Sequence, residues 1–292
     1  MTTQEVKPGH LYVVATPIGN LGDLAPRALK ILDGVDLIAA EDTRVTGALL
    51  SHFGIRKKML ALHEHNEAES AGHVLEELWR GRSVALVSDA GTPLVSDPGY
   101  VLVRMARAAQ LPVIAVPGPS AALAALSISG LPTDSFVFAG FLPAKPEMRL
   151  RKLHELAAES RTVILYESTH RIADSVAAIA DVLGGARRLC LARELTKLFE
   201  ESHTAGAAEM LEWLRADDNR QRGEFVLVVE GAAAENAQAR DAERVLKALL
   251  GELGASRAAK LAAEITGLPR KELYALAVKL GGHSAAAAAH EE

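Results

Sequence analysis

Short apolar runs alternate with longer segments of helical period through the first half of the chain. Residues 11–15 (LYVVA), 35–40 (VDLIAA), 83–88 (SVALVS), 112–117 (PVIAVP) and 135–141 (SFVFAGF) read as strands. Each run is almost continuously apolar rather than alternating, which is the pattern of parallel strands covered on both faces. Helical spacing occupies 25–32, 69–80 and 100–109, and a further helix opens at Ser120 in SAALAALSI. Residues 10–142 are therefore expected to form one α/β domain.

The segment 142–153 (LPAKPEMRLRKL) carries two prolines and a run of bases, so it reads as a linker that soon becomes a helix. A second α/β domain is expected over 143–232, with strands at 162–168, 187–193 and 224–231 and helices at 173–183 and 207–215. Residues 232–239 (AAAENAQA) look like another linker. From 240 to 282 the pattern is wholly helical, in three short pieces resembling a helix-turn-helix module. There Ser256 is expected to cap the second helix, Gly267 to end it and Pro269 to sit in the first turn of the third.

Composition narrows the class. Hydrophobic residues make up 49% of the 292 and aromatics only 4%, so the core is expected to be aliphatic, as where helices pack on sheets. The single cysteine, Cys190, excludes an intramolecular disulfide and a cysteine-based zinc cage, and reads as a small core residue. No apolar stretch is long enough to span a membrane, and the opening MTTQEVKPGH lacks the layout of a signal peptide, so the chain reads as cytoplasmic.

In an open parallel sheet, ligands bind beyond the carboxyl ends of the strands. Four unusual loops fall at that edge: 16–20 (TPIGN), 41–44 (EDTR), 89–99 (DAGTPLVSDPG) and 117–122 (PGPSAA). Any one of them is an ordinary tight turn, but four together favour a ligand crevice. No GxGxxG follows the first strand and no GxxxxGK[ST] is present, which removes the main support for a Rossmann dehydrogenase or a P-loop NTPase. PGPSA is not a GxSxG elbow either, which weakens Ser120 as a hydrolase nucleophile.

These loops, taken with LHEHNE (62–67), LYESTHRI (165–172), ARELTKLFEE (192–201) and RGEFVLVVEG (222–231), resemble the ribosomal RNA branch of the tetrapyrrole-methylase superfamily over about residues 10–231. The resemblance implies two α/β domains clasping S-adenosylmethionine between them and a homodimer. It also implies 2′-O-methylation of a cytidine in 16S ribosomal RNA, free or in the assembled 30S subunit. Gly91-Thr92-Pro93 looks like the superfamily's Gly-Asp-Pro cofactor turn, with Thr92 where many relatives have Asp. Val95, the pair Ser120-Ala121 and Tyr166 match positions beside the cofactor, and Pro17, Gly19 and Asp89 fall along the same floor.

For the reaction itself, the carboxylates Asp42, Asp89 and Glu167 stand at strand ends where a base could assist a ribose hydroxyl. Asp42 and Arg44 are equally readable as an ion pair that shapes its loop, Asp89 as a turn residue, and Glu167 as a structural partner of His170 or Arg171. His63 and His65 alternate, but no CxxC or HExxH accompanies them, and no metal is expected.

Charge adds a last expectation. The chain carries −5 overall, yet 240–280 holds eight bases against five acids, so the rest is −8. That contrast suggests an appendage facing nucleic acid, with Arg257, Lys260, Arg270 and Lys271 as contacts, although a solvated helical face reads similarly. Lys145, Arg149, Arg151 and Lys152 form a second basic cluster. The competing readings are a small-molecule methylase, for which a basic appendage has no evident use, and a module that binds S-adenosylmethionine without catalysis.

Overall fold

The computed structural model describes residues 5–63 and 66–288. Its first sheet contains β1 (Leu11–Val14), β2 (Leu37–Ala40), β3 (Lys58–Ala61), β4 (Val84–Val87) and β5 (Val113–Val116). They run in the order β3-β2-β4-β1-β5, all parallel. Helices α1 (Pro26–Gly34) and α2 (Thr43–His52) pack on one face, α3 (Glu67–Trp79) and α4 (Tyr100–Ala108) on the other. Both faces are covered, which is why the strands read as unbroken apolar runs. On β2, Ile38 and Ala40 enter one core while Leu37 and Ala39 enter the other.

The second sheet orders β6 (Phe136–Phe141), β7 (Thr162–Ser168), β8 (Arg188–Arg193), β9 (Glu201–Gly206) and β10 (Glu224–Val229) as β6-β7-β10-β8-β9. Only β6 and β7 are parallel neighbours. Helices α6 (Pro146–Leu156), α7 (Ile172–Leu183) and α8 (Ala207–Arg215) bury one face. The other face is closed by α5 (Ala121–Ile128), whose Ala122, Ala125 and Leu126 pack with Ile164, Cys190 and Val226.

The strand at 135–141, expected in the first domain, thus belongs to the second sheet. A continuous apolar run says that a strand is buried but not in which sheet. Here the helix α6 supplies the crossover that two parallel neighbours require, and β6-α6-β7 closes as one unit.

The expected linker at 232–239 is also corrected. Its alanines carry high helix propensity, and α9 (Ala234–Leu250) runs through it without a break. With α10 (Ala255–Thr266) and α11 (Arg270–Ala288) it forms a small separate core of Ala242, Leu246, Ala258, Ala259, Ala262, Leu273 and Ala277. Gly267 ends α10 in a left-handed conformation, φ 72°, as expected. Ser256 does not cap it: Gly254 holds that position and its carbonyl accepts from the Arg257 and Ala258 amides, both at 3.0 Å. Among the described residues, no helix is long and apolar enough to cross a membrane.

Candidate active site

The carboxyl edge of the first sheet and the cleft-side wall of the second enclose a cavity of about 460 Å³, within the usual range for a bound small molecule. Gly91, Thr92, Val95, Ser120, Ala121 and Tyr166 all border it, joined by Ile18, Leu195, Phe225 and Val226. Six of the residues expected beside the cofactor therefore converge, although they come from the loops after β4 and β5 and from β7.

The floor is a welded turn. Thr16 and Gly91 exchange backbone hydrogen bonds at 2.9 and 3.1 Å, and the Thr16 hydroxyl donates to the Ser88 carbonyl at 3.1 Å. Gly91 has φ +82°, and a Cβ there would stand 3.3 Å from Ile18 Cγ2. Only glycine adopts this conformation without strain and keeps the turn low enough to leave the cavity open. Leu94 and Ser96 also adopt positive φ, 72° and 68°, which costs of order 1 kcal/mol apiece and is typical of loops shaped for a ligand. The Thr92 hydroxyl donates to the Pro119 carbonyl at 3.0 Å and fastens this loop to the one that begins α5.

Asp97 borders the same cavity and was not among the expected site residues. Burial pushes its carboxyl above the ordinary range, and the negative charge of nearby Asp89 adds to the rise. A carboxylate held at this cost among apolar walls suits a cationic ligand. Its signal in the sequence was the second aspartate of DAGTPLVSDPG, hidden among turn residues. On the opposite wall, Tyr166 packs edge-on against Phe138 and Phe141, with ring centroids 4.9 and 5.6 Å away, and burial raises its phenol. Apolar walls, a glycine cradle and a half-buried acid together fit S-adenosylmethionine, whose adenine, sulfonium and amino-acid tail ask for those surfaces.

Other expected residues stand outside the cavity wall. Pro17 and Pro93 are buried beneath it, and Gly19 lies under the Lys197 side chain, where a Cβ would come 2.5 Å from Cγ. Asp89 accepts the Asp42 amide at 3.0 Å, and burial raises its carboxyl. Asp42 caps α2 by accepting the Arg44 amide at 2.8 Å, and its ion pair with the Arg44 guanidinium holds its carboxyl down at about 2. A group so acidic is poorly matched to accept a proton near neutrality, and the loop-shaping reading describes this pair.

Glu167, expected as a candidate base, borders the cavity, but its side chain has no exposed surface. It accepts from Ser175 Oγ at 2.6 Å and pairs with Arg171 at 2.8 Å. Arg149, expected to contact RNA, faces the same interior cluster, donating to Ser175 Oγ at 3.3 Å while only 5% exposed. The amphipathic α6 turns position 149 inward, where the Ser175 hydroxyl and, at 3.9 Å, the Asp174 carboxylate are the polar partners of the buried arginine. Both residues hold α6 and α7 to β7.

The remaining bases are at the surface: Lys145 and Arg151 on the α6 segment, half-buried Lys152, and Arg257, Lys260, Arg270 and Lys271 on the helical module. His65 and Glu64 lie outside the described residues. Among the described residues, no group of three or more His, Cys, Asp or Glu is placed to hold a metal.

Comparison with known proteins agrees with this geometry. The family model described as tetrapyrrole (corrin/porphyrin) methylases matches residues 10–211, and one described as an RsmI C-terminal HTH domain matches 236–281. The chain is similar to ribosomal RNA small subunit methyltransferase I of Escherichia coli O157:H7, 53% identical over 94% of this chain and 96% of that protein. The protein of the same name from Xylella fastidiosa strain Temecula1 is 55% identical over 91% and 98%. Among solved structures, the cobalt precorrin-4 methyltransferase CbiF aligns at a TM-score of 0.55 and 18% identity, covering 75% of this chain and 94% of that one. A uroporphyrin-III-C-methyltransferase from Thermus thermophilus aligns at 0.53 and 20%, covering 76% and 94%. With its two sheets, inter-sheet cleft and helical appendage, the chain belongs to the tetrapyrrole methylase family, within the group of the ribosomal RNA small subunit methyltransferases I.

Proposed function

We propose that the chain transfers a methyl group from S-adenosylmethionine to the ribose 2′-hydroxyl of a cytidine in 16S ribosomal RNA, acting on the free RNA or the 30S subunit. The observation that carries this is the convergence of Gly91, Thr92, Val95, Ser120, Ala121 and Tyr166 on one cleft that also holds a half-buried acid, Asp97. The relatives' names support the RNA substrate.

S-adenosylmethionine supplies the electrophilic methyl group. The protein's part is to seat it and to bring the hydroxyl near attack distance, which can account for much of the acceleration. Gly91 and the Ser120-Ala121 pair leave room for a close approach, Tyr166 and Val95 give apolar walls, and Asp97 offers the anion opposite a cation. Asp42 and Arg44 fix the neighbouring loop. Lys145, Arg151, Lys152, Arg257, Lys260, Arg270 and Lys271 are the phosphate contacts in this reading, and the chain works as a cytoplasmic homodimer, which sedimentation would measure.

The test is incubation of the protein with labelled cofactor and, separately, 30S subunits, free rRNA and a porphyrin precursor. Label in an alkali-resistant dinucleotide from rRNA is expected. Label only in the porphyrin would establish a small-molecule methylase instead, and binding without transfer to any of the three would establish a sensor.

A further inference from the structure

The loop from Glu194 to Glu200, part of the ARELTKLFEE motif, reaches the cavity through Leu195, and its backbone and ion pairs specify it tightly. Glu194 and Thr196 both adopt left-handed backbone, φ 50° and 67°, without being glycine. Such strain persists only where surroundings over-determine it. Here Lys197 Nζ pairs with Glu194 and Glu224, each at 3.0 Å, the Glu194 carboxylate accepts the Glu224 amide at 3.0 Å, and Glu200 accepts the Thr196 amide. The Lys197 stem lies across Gly19 of the first domain. Leu195 and Glu224 border the cleft, so this strap forms part of its rim.

At the tip of the strap, Leu198 is 89% exposed and Phe199 68% exposed. A loop held this firmly does not expose a phenyl ring through fraying. We propose, on the footing of the rRNA reading, that Phe199 is the stacking platform for an unstacked base of the RNA at the methylation site, and that the Lys197 clasp on Gly19 fixes the platform at the cleft rim. A 2′-hydroxyl reaches a methyl group inside a cleft only if its nucleotide leaves the helical stack, and the freed base then gains from a π face offered beside the opening. The strap's own charges, Glu194, Glu200 and Glu224 against Lys197, give it no attraction for phosphate. The contact it offers RNA is therefore stacking, which is tolerant of which base it meets.

The experiment is methylation kinetics on 30S subunits with full-length wild type, Phe199→Ala, Phe199→Trp and Phe199→Leu. Cofactor affinity by calorimetry and sedimentation are measured alongside. Phe199→Ala is expected to raise KM for the subunit by roughly fivefold to a hundredfold, the range for losing one base–aromatic stack, with kcat, cofactor affinity and salt dependence in place. Phe199→Trp is expected to restore KM and Phe199→Leu to fail. An unchanged KM in Phe199→Ala overturns the inference, as does full rescue by leucine, which would mark a plain apolar contact. A change in sedimenting mass would assign the patch to a second copy of the chain. If wild type itself methylates neither 30S subunits nor free rRNA, the rRNA reading fails and this inference with it; if it methylates free rRNA alone, the same comparison of KM is made on that RNA. A wild type that methylates while Phe199→Ala matches it sinks the inference alone.

Discussion

The hydroxyl of Thr92 donates to the carbonyl of Pro119 across 3.0 Å, joining the loop after β4 to the loop that opens α5. Since α5 packs on the second sheet, this one bond runs from the first domain's Gly91-Thr92-Pro93 turn toward the second domain's wall. Thr92→Val keeps the shape and removes the donor. It is expected to weaken S-adenosylmethionine binding by about fivefold, the worth of one neutral hydrogen bond of about 1 kcal/mol. Thr92→Ser should bind as wild type, and titration calorimetry compares them.

Gly91→Leu is expected to abolish cofactor binding in a protein that still folds. The residue sits at φ +82° with Ile18 and Pro119 beside its missing Cβ, so a larger side chain must displace them or enter the cavity. Calorimetry on a variant with native circular dichroism checks it, and unchanged affinity would remove this turn from the site.

Asp97 gives the site a pH dependence whose sign is fixed. Burial raises its pKa in the free protein, and a bound cation favours the ionised form, so binding expels a proton whenever the free carboxyl is protonated. Affinity should therefore be weakest at acid pH, rise as pH increases and level off above the free-state pKa. Asp97→Asn should flatten the profile and lower the plateau by roughly tenfold to a hundredfold, as for a hydrogen bond to a charged group. Calorimetric affinities measured across the acidic range decide this, and a wild-type profile without slope would exclude Asp97 from the cation's surroundings.

Glu167→Ala is expected to destabilise the protein by about 3 kcal/mol, because it removes the buried acceptor shared by the Arg171 guanidinium and the Ser175 hydroxyl. Denaturant unfolding measures the loss. Arg149→Ala should lower stability too, yet leave the salt dependence of RNA binding unchanged, whereas Lys145→Ala should reduce that slope by about one unit.

Removal of the helical module after Gly231 is expected to leave cofactor affinity in place, raise the RNA concentration for half-maximal rate and spare the rate at saturation. The module has its own core around Leu246 and Ala259, and none of its described residues borders the cleft. Saturation kinetics on 30S subunits separate this from a direct part in the chemistry.

What could be read from the sequence follows from what each signal encodes. Two-sided burial writes itself as continuous apolar runs, so β1, β2 and β4 were legible, the partly buried edge strand β5 carries a similar run, and β7 was found end to end. Polar edge and cap elements were not. β9 (ESHTAG) is a half-buried edge strand with almost no apolar content, and α2 begins on the Asp42 cap with threonines and a glycine in its body. The Gly91 turn was legible as a backbone constraint because glycine and proline mark such constraints directly. Asp97 was not, since an aspartate in a turn looks the same whether it faces water or a cavity. The inward turn of Arg149 depends on Ser175 and Asp174, which are distant in sequence and have no local signature.

Where the chain changes sheets also decides where it can be divided. A break at residue 142 would leave β6 and α5 on the fragment that lacks their partners, stripping β7 of its neighbour and uncovering one face of the second sheet. A break beside Gly118 would give each piece a whole sheet, with Thr92 on one and Ser120 on the other. Two such pieces would have to reassemble before either could hold the cofactor, so regained cofactor binding would itself report their reunion.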